Sequence, residues 1–203
     1  MSKWKLFVTL GVIAGVVAVV AVLKWSLFFR SRQPAPVIAG RMAGDLSAPV
    51  KIVEFADFQC PPCAQASEIL DRLFREPNKR YSLEFRYFPL AMHRHGFRAA
   101  LVAQCALEQG KFWDMHDVLF RSQEDWGSLE NPDDYFLGLA RSLGMDDLSL
   151  MKCVARPVAR AVVEQDIVQA KNMGVKATPT FFINGEMVVG LPELEKALKE
   201  LKL

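Results

Sequence analysis

The sequence predicts an α/β domain, a small sheet with a helical insertion in its middle, behind one apolar N-terminal segment. Three observations predict it. The run Val50–Phe55, apolar but for Lys51 and Glu54, leads through a short aromatic turn into Cys60-Pro61-Pro62-Cys63 and then a helical pattern. From about Gly96 to Met173 the chain reads as helices almost throughout. Two short apolar strands, Phe181-Phe182-Ile183 and Met187-Val188-Val189, then flank Asn184-Gly185, the strongest short hairpin signal.

The first 30 residues read as a membrane anchor. Leu6 to Leu23 carries no charge, close to the roughly 20 apolar residues that cross a bilayer as a helix. Lys3 and Lys5 precede it, and Trp4 and Trp25 stand where interfacial aromatics are expected. The competing reading is a cleaved signal peptide, but Phe28-Phe29-Arg30 is a poor cleavage context. Lys3 and Lys5 on one side nearly balance Lys24, Arg30 and Arg32 on the other, so charge alone does not orient the span. Residues 31–45, with Pro34, Pro36, Gly40 and Gly44, read as a linker, leaving 46–203 as the folded domain.

Within that domain the strand Val50–Phe55 is apolar enough to be buried on both faces. Ala66, Ile69, Leu70, Leu73 and Phe74 then recur at helical spacing. Pro77-Asn78 breaks the pattern, Ser82–Phe88 supplies a second strand, and Pro89 ends it. The insertion, about 91–173, holds helices expected at Phe97–Glu108, Phe112–Phe120, Tyr135–Leu143 and Pro157–Asn172. Phe112, Trp113, Phe120 and Trp126 are expected in its core, while His93 and His95 beside Gly96 read as surface histidines. A terminal amphipathic helix is expected over Pro192–Leu201.

Two cysteines two residues apart at a strand-to-helix junction are a redox signature. The first sulfur meets the unpaired N–H groups and positive dipole of a helix start, which favour a thiolate. Cys60 therefore reads as an exposed nucleophile and Cys63, one turn inside, as the resolving thiol. Pro61 and Pro62 remove two donors, leaving the N–H groups of Cys63 and Ala64 near the sulfur. With no histidine inside the motif, the Cys60 pKa is expected below a free thiol's and above that of the strongest oxidants. Half a zinc site is the competing reading, but a second Cys-x-x-Cys is missing and only His93, His95, His116, Cys105 and Cys153 remain as ligands. No metal and no cofactor are expected.

Glu54 admits two readings, a solvated or paired carboxylate at a strand edge, or a buried acid whose raised pKa suits proton transfer. Cys105 and Cys153 admit two as well, buried free thiols or a bonded pair. Net charge is +2, from 25 basic and 23 acidic residues, and suggests no polyanion partner, so no nucleic acid is expected.

The order of elements, with Cys-Pro-Pro-Cys after the first strand and Thr178-Pro179 before the hairpin, resembles the DsbA-like branch of the thioredoxin superfamily. Gln109–His116 and Gly174–Gly185 carry the same resemblance. It implies a thioredoxin-like fold with a helical insertion, here behind one N-terminal transmembrane helix. It implies a protein disulfide oxidoreductase acting through Cys60 and Cys63. It also implies a cis Pro179 whose loop, with Thr178, lies against the cysteine pair and helps hold substrate beside Pro61 and Pro62. Glu54 becomes a proton relay for Cys63, and Cys105 and Cys153 become a structural disulfide. Such a bond needs an oxidising compartment, which orients the anchor with the domain on the periplasmic side of the inner membrane. The expected partners are exported cysteine-containing proteins and a membrane redox partner that reoxidises the pair, for a monomeric enzyme. A tethered reductase or isomerase and a non-catalytic binding module are the alternatives.

Overall fold

The computed structural model describes residues 15–20, 22, 24, 39–75 and 80–201. The chain divides into two units, 1–36 and 37–203. In the first, residues 15–20, 22 and 24 are helical. The anchor expected over 1–30 lies for the most part outside the described residues, among which no helix is long and apolar enough to cross a membrane.

The second unit is built on a five-stranded mixed sheet in the order β1-β3-β2-β4-β5. Its strands are β1 (Met42–Gly44), β2 (Val50–Ala56), β3 (Tyr81–Tyr87), β4 (Thr180–Ile183) and β5 (Glu186–Val189). Central β2 runs parallel to β3 and antiparallel to β4. Every residue of β3 is buried, although Tyr81, Leu83, Phe85 and Tyr87 alternate with Ser82, Glu84 and Arg86; the buried Glu84 and Arg86 pair with each other. Between β4 and β5, Asn184 and Gly185 both take positive φ (50° and 92°), the geometry that makes Asn-Gly a hairpin turn.

Helix α1 (Pro61–Arg75) joins β2 to β3 and buries Ala66, Leu70 and Leu73 against Ile52, Leu83 and Phe181 of the sheet. The closing helix α8 (Leu191–Glu200) adds Leu194 and Leu198 to the same cluster. Losing one such leucine side chain costs about 2–5 kcal/mol. The insertion between β3 and β4 contains α2 (Gly96–Glu108), α3 (Phe112–Arg121), α4 (Gln123–Gly127), α5 (Asp133–Ser142), α6 (Asp147–Val154) and α7 (Pro157–Asn172). Phe112, Phe120 and Trp126 are buried there as expected, whereas Trp113 is half-buried and packs against both the insertion and the sheet cluster.

One boundary is corrected. The linker expected over 31–45 ends inside the fold, because Met42–Gly44 pairs with β3 and Arg41 is completely buried. The glycines and short run that suggested a linker conceal a three-residue edge strand held by backbone bonds and one arginine. Arg41 pairs with Asp166 of α7, and its guanidinium lies 4.5 Å from the centre of the Tyr87 ring. Asp166 also accepts from Arg86 Nη1 at 3.1 Å and from the Tyr87 N–H at 3.1 Å.

Candidate active site

The site forms where β2 ends and α1 begins. Asp57 shapes the turn. Its backbone carbonyl accepts from the Cys60 N–H (3.0 Å) and its Oδ1 accepts from the Gln59 N–H (2.9 Å), an Asx turn. Its Oδ2 accepts from the Leu90 N–H at 2.8 Å and from His93 Nδ1 at 2.6 Å. Gly96 lies against this carboxylate so closely that a Cβ there would come within 2.3 Å of Asp57 Oδ1. The insertion fixes the turn from the other side. Gln123 Nε2 donates to the carbonyls of Phe58 (2.6 Å) and Cys60 (3.0 Å), and Gln59 Nε2 donates to Gly127 O (3.2 Å).

The two histidines expected on the surface are therefore engaged. His93 is tied to Asp57, and His95 is buried, its Nε2 2.8 Å from Leu129 O and its N–H bonded to Gln59 Oε1. They were misread because a tight, polar turn in sequence gives no sign that another loop folds onto it.

Cys60 and Cys63 are both free thiols. The Cys60 carbonyl accepts from Cys63 N–H (3.0 Å) and Ala64 N–H (3.3 Å), and Pro61 and Pro62, which have no N–H, fill first-turn positions where no donor is needed. Cys60 is less exposed than expected, 5 % against 0 % for Cys63. The reason is the loop before β4, whose Thr178 carbonyl lies 3.4 Å from Cys60 Sγ, next to the cis Thr178–Pro179 bond.

The two sulfurs differ in chemistry. Donation from the Cys63 thiol lowers the Cys60 pKa most, against the upward pull of burial; the Cys63 N–H also stabilises the thiolate, and the outcome is a pKa of about 6. The nearby Thr178 hydroxyl acts in the same direction as a dipole, although its oxygen makes no hydrogen bond of ordinary geometry. Asp57 pushes the other way with its negative charge. The result lies between a free thiol and the roughly 3.5 of the strongest oxidants. Burial, the facing Cys60 sulfur and the nearby Glu54 charge raise Cys63 well above an ordinary thiol.

Glu54 is on the central strand rather than at an edge. It is 1 % exposed, and neither carboxylate oxygen has a hydrogen-bond partner among the described residues. Burial alone pushes its pKa up to about 8. Cys105 of α2 and Cys153 of α6 are joined by a disulfide with an S–S distance of 2.05 Å, away from the reactive pair. Among the described residues no cluster of three or more His, Cys, Asp or Glu side chains is placed to hold a metal. Sequence reasoning missed Asp57 and Gln123. An aspartate opening the turn before Cys60 is a readable signal, whereas nothing local marks Gln123, 63 positions from the carbonyl it holds.

A sheet carrying a Cys-x-x-Cys at a helix start beside a cis proline defines a thioredoxin-type protein. The family model described as Thioredoxin matches residues 37–202, and the chain belongs to that family. A thioredoxin-like oxidoreductase from Silicibacter pomeroyi DSS-3 superposes with a TM-score of 0.65 at 25 % identity, over 79 % of this chain and 91 % of that one. BdbD from Bacillus subtilis gives 0.68 at 25 % identity, over 81 % and 94 %. The thiol-disulfide exchange protein α-DsbA2 from Wolbachia pipientis shares the fold at 20 % identity with a TM-score of 0.67, and MdbA, a thiol-disulfide oxidoreductase from Corynebacterium diphtheriae, at 23 % with 0.60. The curated relatives carry another name. The Na(+)/H(+) antiporter NhaA 3 of Salinispora tropica is 37 % identical over 144 residues, 70 % of this chain but 21 % of the antiporter. The chain thus spans about a fifth of the length of such relatives, and a match that long falls mainly on the unit 37–203.

Proposed function

We propose that the protein introduces disulfide bonds into exported proteins by dithiol–disulfide exchange through Cys60 and Cys63. The observation that carries this reading is the asymmetry of the pair, a Cys60 pKa near 6 beside a Cys63 thiol raised by burial. A stabilised thiolate favours the reduced pair, which makes the oxidised pair the better oxidant.

A substrate thiolate attacks Cys60 Sγ of the oxidised pair, and the Cys60–Cys63 bond breaks with Cys63 leaving as thiolate. Glu54, protonated at neutral pH by its burial, gives that thiolate its proton. A second substrate thiolate then attacks the substrate sulfur of the mixed disulfide and releases Cys60 as thiolate. The substrate leaves with a new disulfide, and two electrons remain in the dithiol until a membrane redox partner removes them. The Thr178-Pro179 loop and the exposed faces of Pro61 and Pro62 hold the substrate chain against Cys60. Residues 1–30 tether the domain to the inner membrane, with 46–203 on the periplasmic side. The Cys105–Cys153 bond supports this placement, because structural disulfides persist in oxidising compartments. The antiport named in the relatives is not carried over, since they match over about a fifth of their length.

Thiol alkylation in intact cells tests the direction. A pair found oxidised at steady state supports the oxidase, and a pair kept reduced replaces it with a tethered reductase or isomerase. Cys63→Ser should trap exported proteins as mixed disulfides, and Cys60→Ser should trap none. Client binding and phenotype untouched by Cys60→Ser would instead indicate a non-catalytic module.

A further inference from the structure

The buried face of Glu54 opens on a cavity of about 180 Å3, lined by Glu54 of β2, Ser67 and Asp71 of α1, and Trp113, His116 and Asp117 of α3. Ala43, Leu70 and Leu83 make most of the remaining wall apolar, and the space admits water beside the Glu54 and His116 side chains. Across it stands a second buried group without a full set of partners. His116 is 4 % exposed, and its Nε2 has no hydrogen-bond partner among the described residues. Its Nδ1 lies 2.8 Å from Asp117 Oδ1, and because a carboxylate only accepts, the Nδ1–H donates and Nε2 is left as an acceptor. Asp117 reaches the surface, its side chain 42 % exposed.

The strand register brings the two groups to one face. Glu54 lies opposite Phe85 on the parallel strand β3, and the Phe85 ring centre is 5.0 Å from that of His116. The ionisable residues around the cavity are Glu54, Asp71, His116 and Asp117. On its other sides the imidazole meets the rings of Phe58, Phe112, Trp113 and Phe120. A histidine used only as packing would not leave a buried ring nitrogen without a partner beside a cavity that admits water.

We propose that His116 is the outer station of a proton path running from Cys63 through Glu54 to the surface, with Asp117 at its exit. The proposal rests on the reading of Glu54 as the acid that serves Cys63. When Cys63 must become a thiolate to re-form the disulfide, Glu54 first passes its own proton through cavity water to His116 Nε2, and the emptied carboxylate then takes the Cys63 proton. The Nδ1 proton leaves through Asp117 to solvent, and the imidazole remains as its Nε2–H tautomer. When the disulfide is next broken and Cys63 leaves as thiolate, Glu54 supplies its proton. Nε2 then returns one to Glu54, and Nδ1 regains one through Asp117. The imidazole is back in its starting tautomer after each cycle, and no electrons move through it. His116 touches neither sulfur, so it acts as a positioning residue through Glu54.

The test is the rate at which Cys63 resolves a Cys60–glutathione mixed disulfide, followed by glutathione release across the pH range. Wild type is compared with Glu54→Gln, His116→Gln and Asp117→Asn. A group that transfers the proton directly contributes about 10²–10⁴-fold, which is the loss expected for Glu54→Gln. His116→Gln should lose about tenfold and flatten the pH profile, while the Cys60 thiolate titration stays unchanged, a pattern that a packing defect would not produce. Asp117→Asn, a surface change, should weaken the same pH dependence less. Wild-type profiles in the His116 and Asp117 variants, with Glu54→Gln slow, would overturn the path and leave Glu54 as the acid. A Glu54→Gln enzyme as fast as wild type would instead remove the Glu54 reading itself. If His116→Gln does not fold, Asp117→Asn decides alone, and an unchanged profile there overturns the proposal.

Discussion

Two buried acids on opposite sides of the domain are treated in opposite ways. Asp166 is 2 % exposed and is met by Arg41, Arg86 and a backbone N–H. Glu54 is 1 % exposed and its oxygens are met by no donor among the described residues. A paired buried carboxylate holds elements together, here α7, β3 and the segment before β1. An unpaired one is costly to ionise and is therefore kept as an acid that can give its proton away. Equal burial thus marks structure in one place and chemistry in the other, and the partners decide which.

The contrast can be broken most strongly at Glu54. Its pKa is about 8 in the folded protein against 4.5 without burial. Below pH 4.5 the carboxyl is protonated in both states and costs nothing. As pH rises from 4.5 towards 8 the folded state holds the proton longer, so stability falls, and the loss levels off above 8 at about 5 kcal/mol. Glu54→Gln should abolish that slope in denaturant midpoints measured at pH 4.5, 6 and 8, with the largest gain at pH 8. A wild-type slope retained in the variant would show that Glu54 is not the source.

Asp166→Ala should do the reverse. It strands the buried Arg41 guanidinium and takes from Arg86 one of its two carboxylates, a loss of about 3–5 kcal/mol at neutral pH. Exchange activity per folded molecule should survive, because the cluster does not touch Cys60. Thermal unfolding together with active-site titration separates the two effects. Replacing Cys105 and Cys153 by Ala should cost about 2–5 kcal/mol, again without changing the Cys60 pKa. The smallest effect is expected from Gly96→Ala. The new methyl has to displace the Asp57 carboxylate from its bonds to Gln59 and Leu90, and a changed Cys60 pKa with a modest stability loss is expected. An unaltered thiolate titration in that variant would mean the Asp57 turn does not set the cysteine environment.

Much of this was legible in the sequence, and the reasons are local. β2, the Cys-x-x-Cys helix start, Pro157–Asn172 and the Asn-Gly hairpin are each specified by their own residues, through periodicity, a proline at a helix start, or a turn that demands positive φ. The reactive cysteines were readable for the same reason. What escaped depended on the return of distant chain. β1 is three residues long and exists only through pairing with β3. His93, Gln123 and Asp166 look like ordinary polar residues until the turn, the insertion and Arg41 close on them. Whether Glu54 is paired or stranded is likewise decided by what folds over it, and two readings of one glutamate stayed open until the neighbours were placed.

The most direct test of the account is a titration of the reduced protein by thiolate absorbance. One thiolate should form with a midpoint near pH 6, vanish in Cys60→Ser, and persist at a higher midpoint in Cys63→Ala, which lacks the donated S–H. A midpoint near 9, or an unchanged titration in Cys60→Ser, would contradict the assignment of Cys60 as the activated nucleophile.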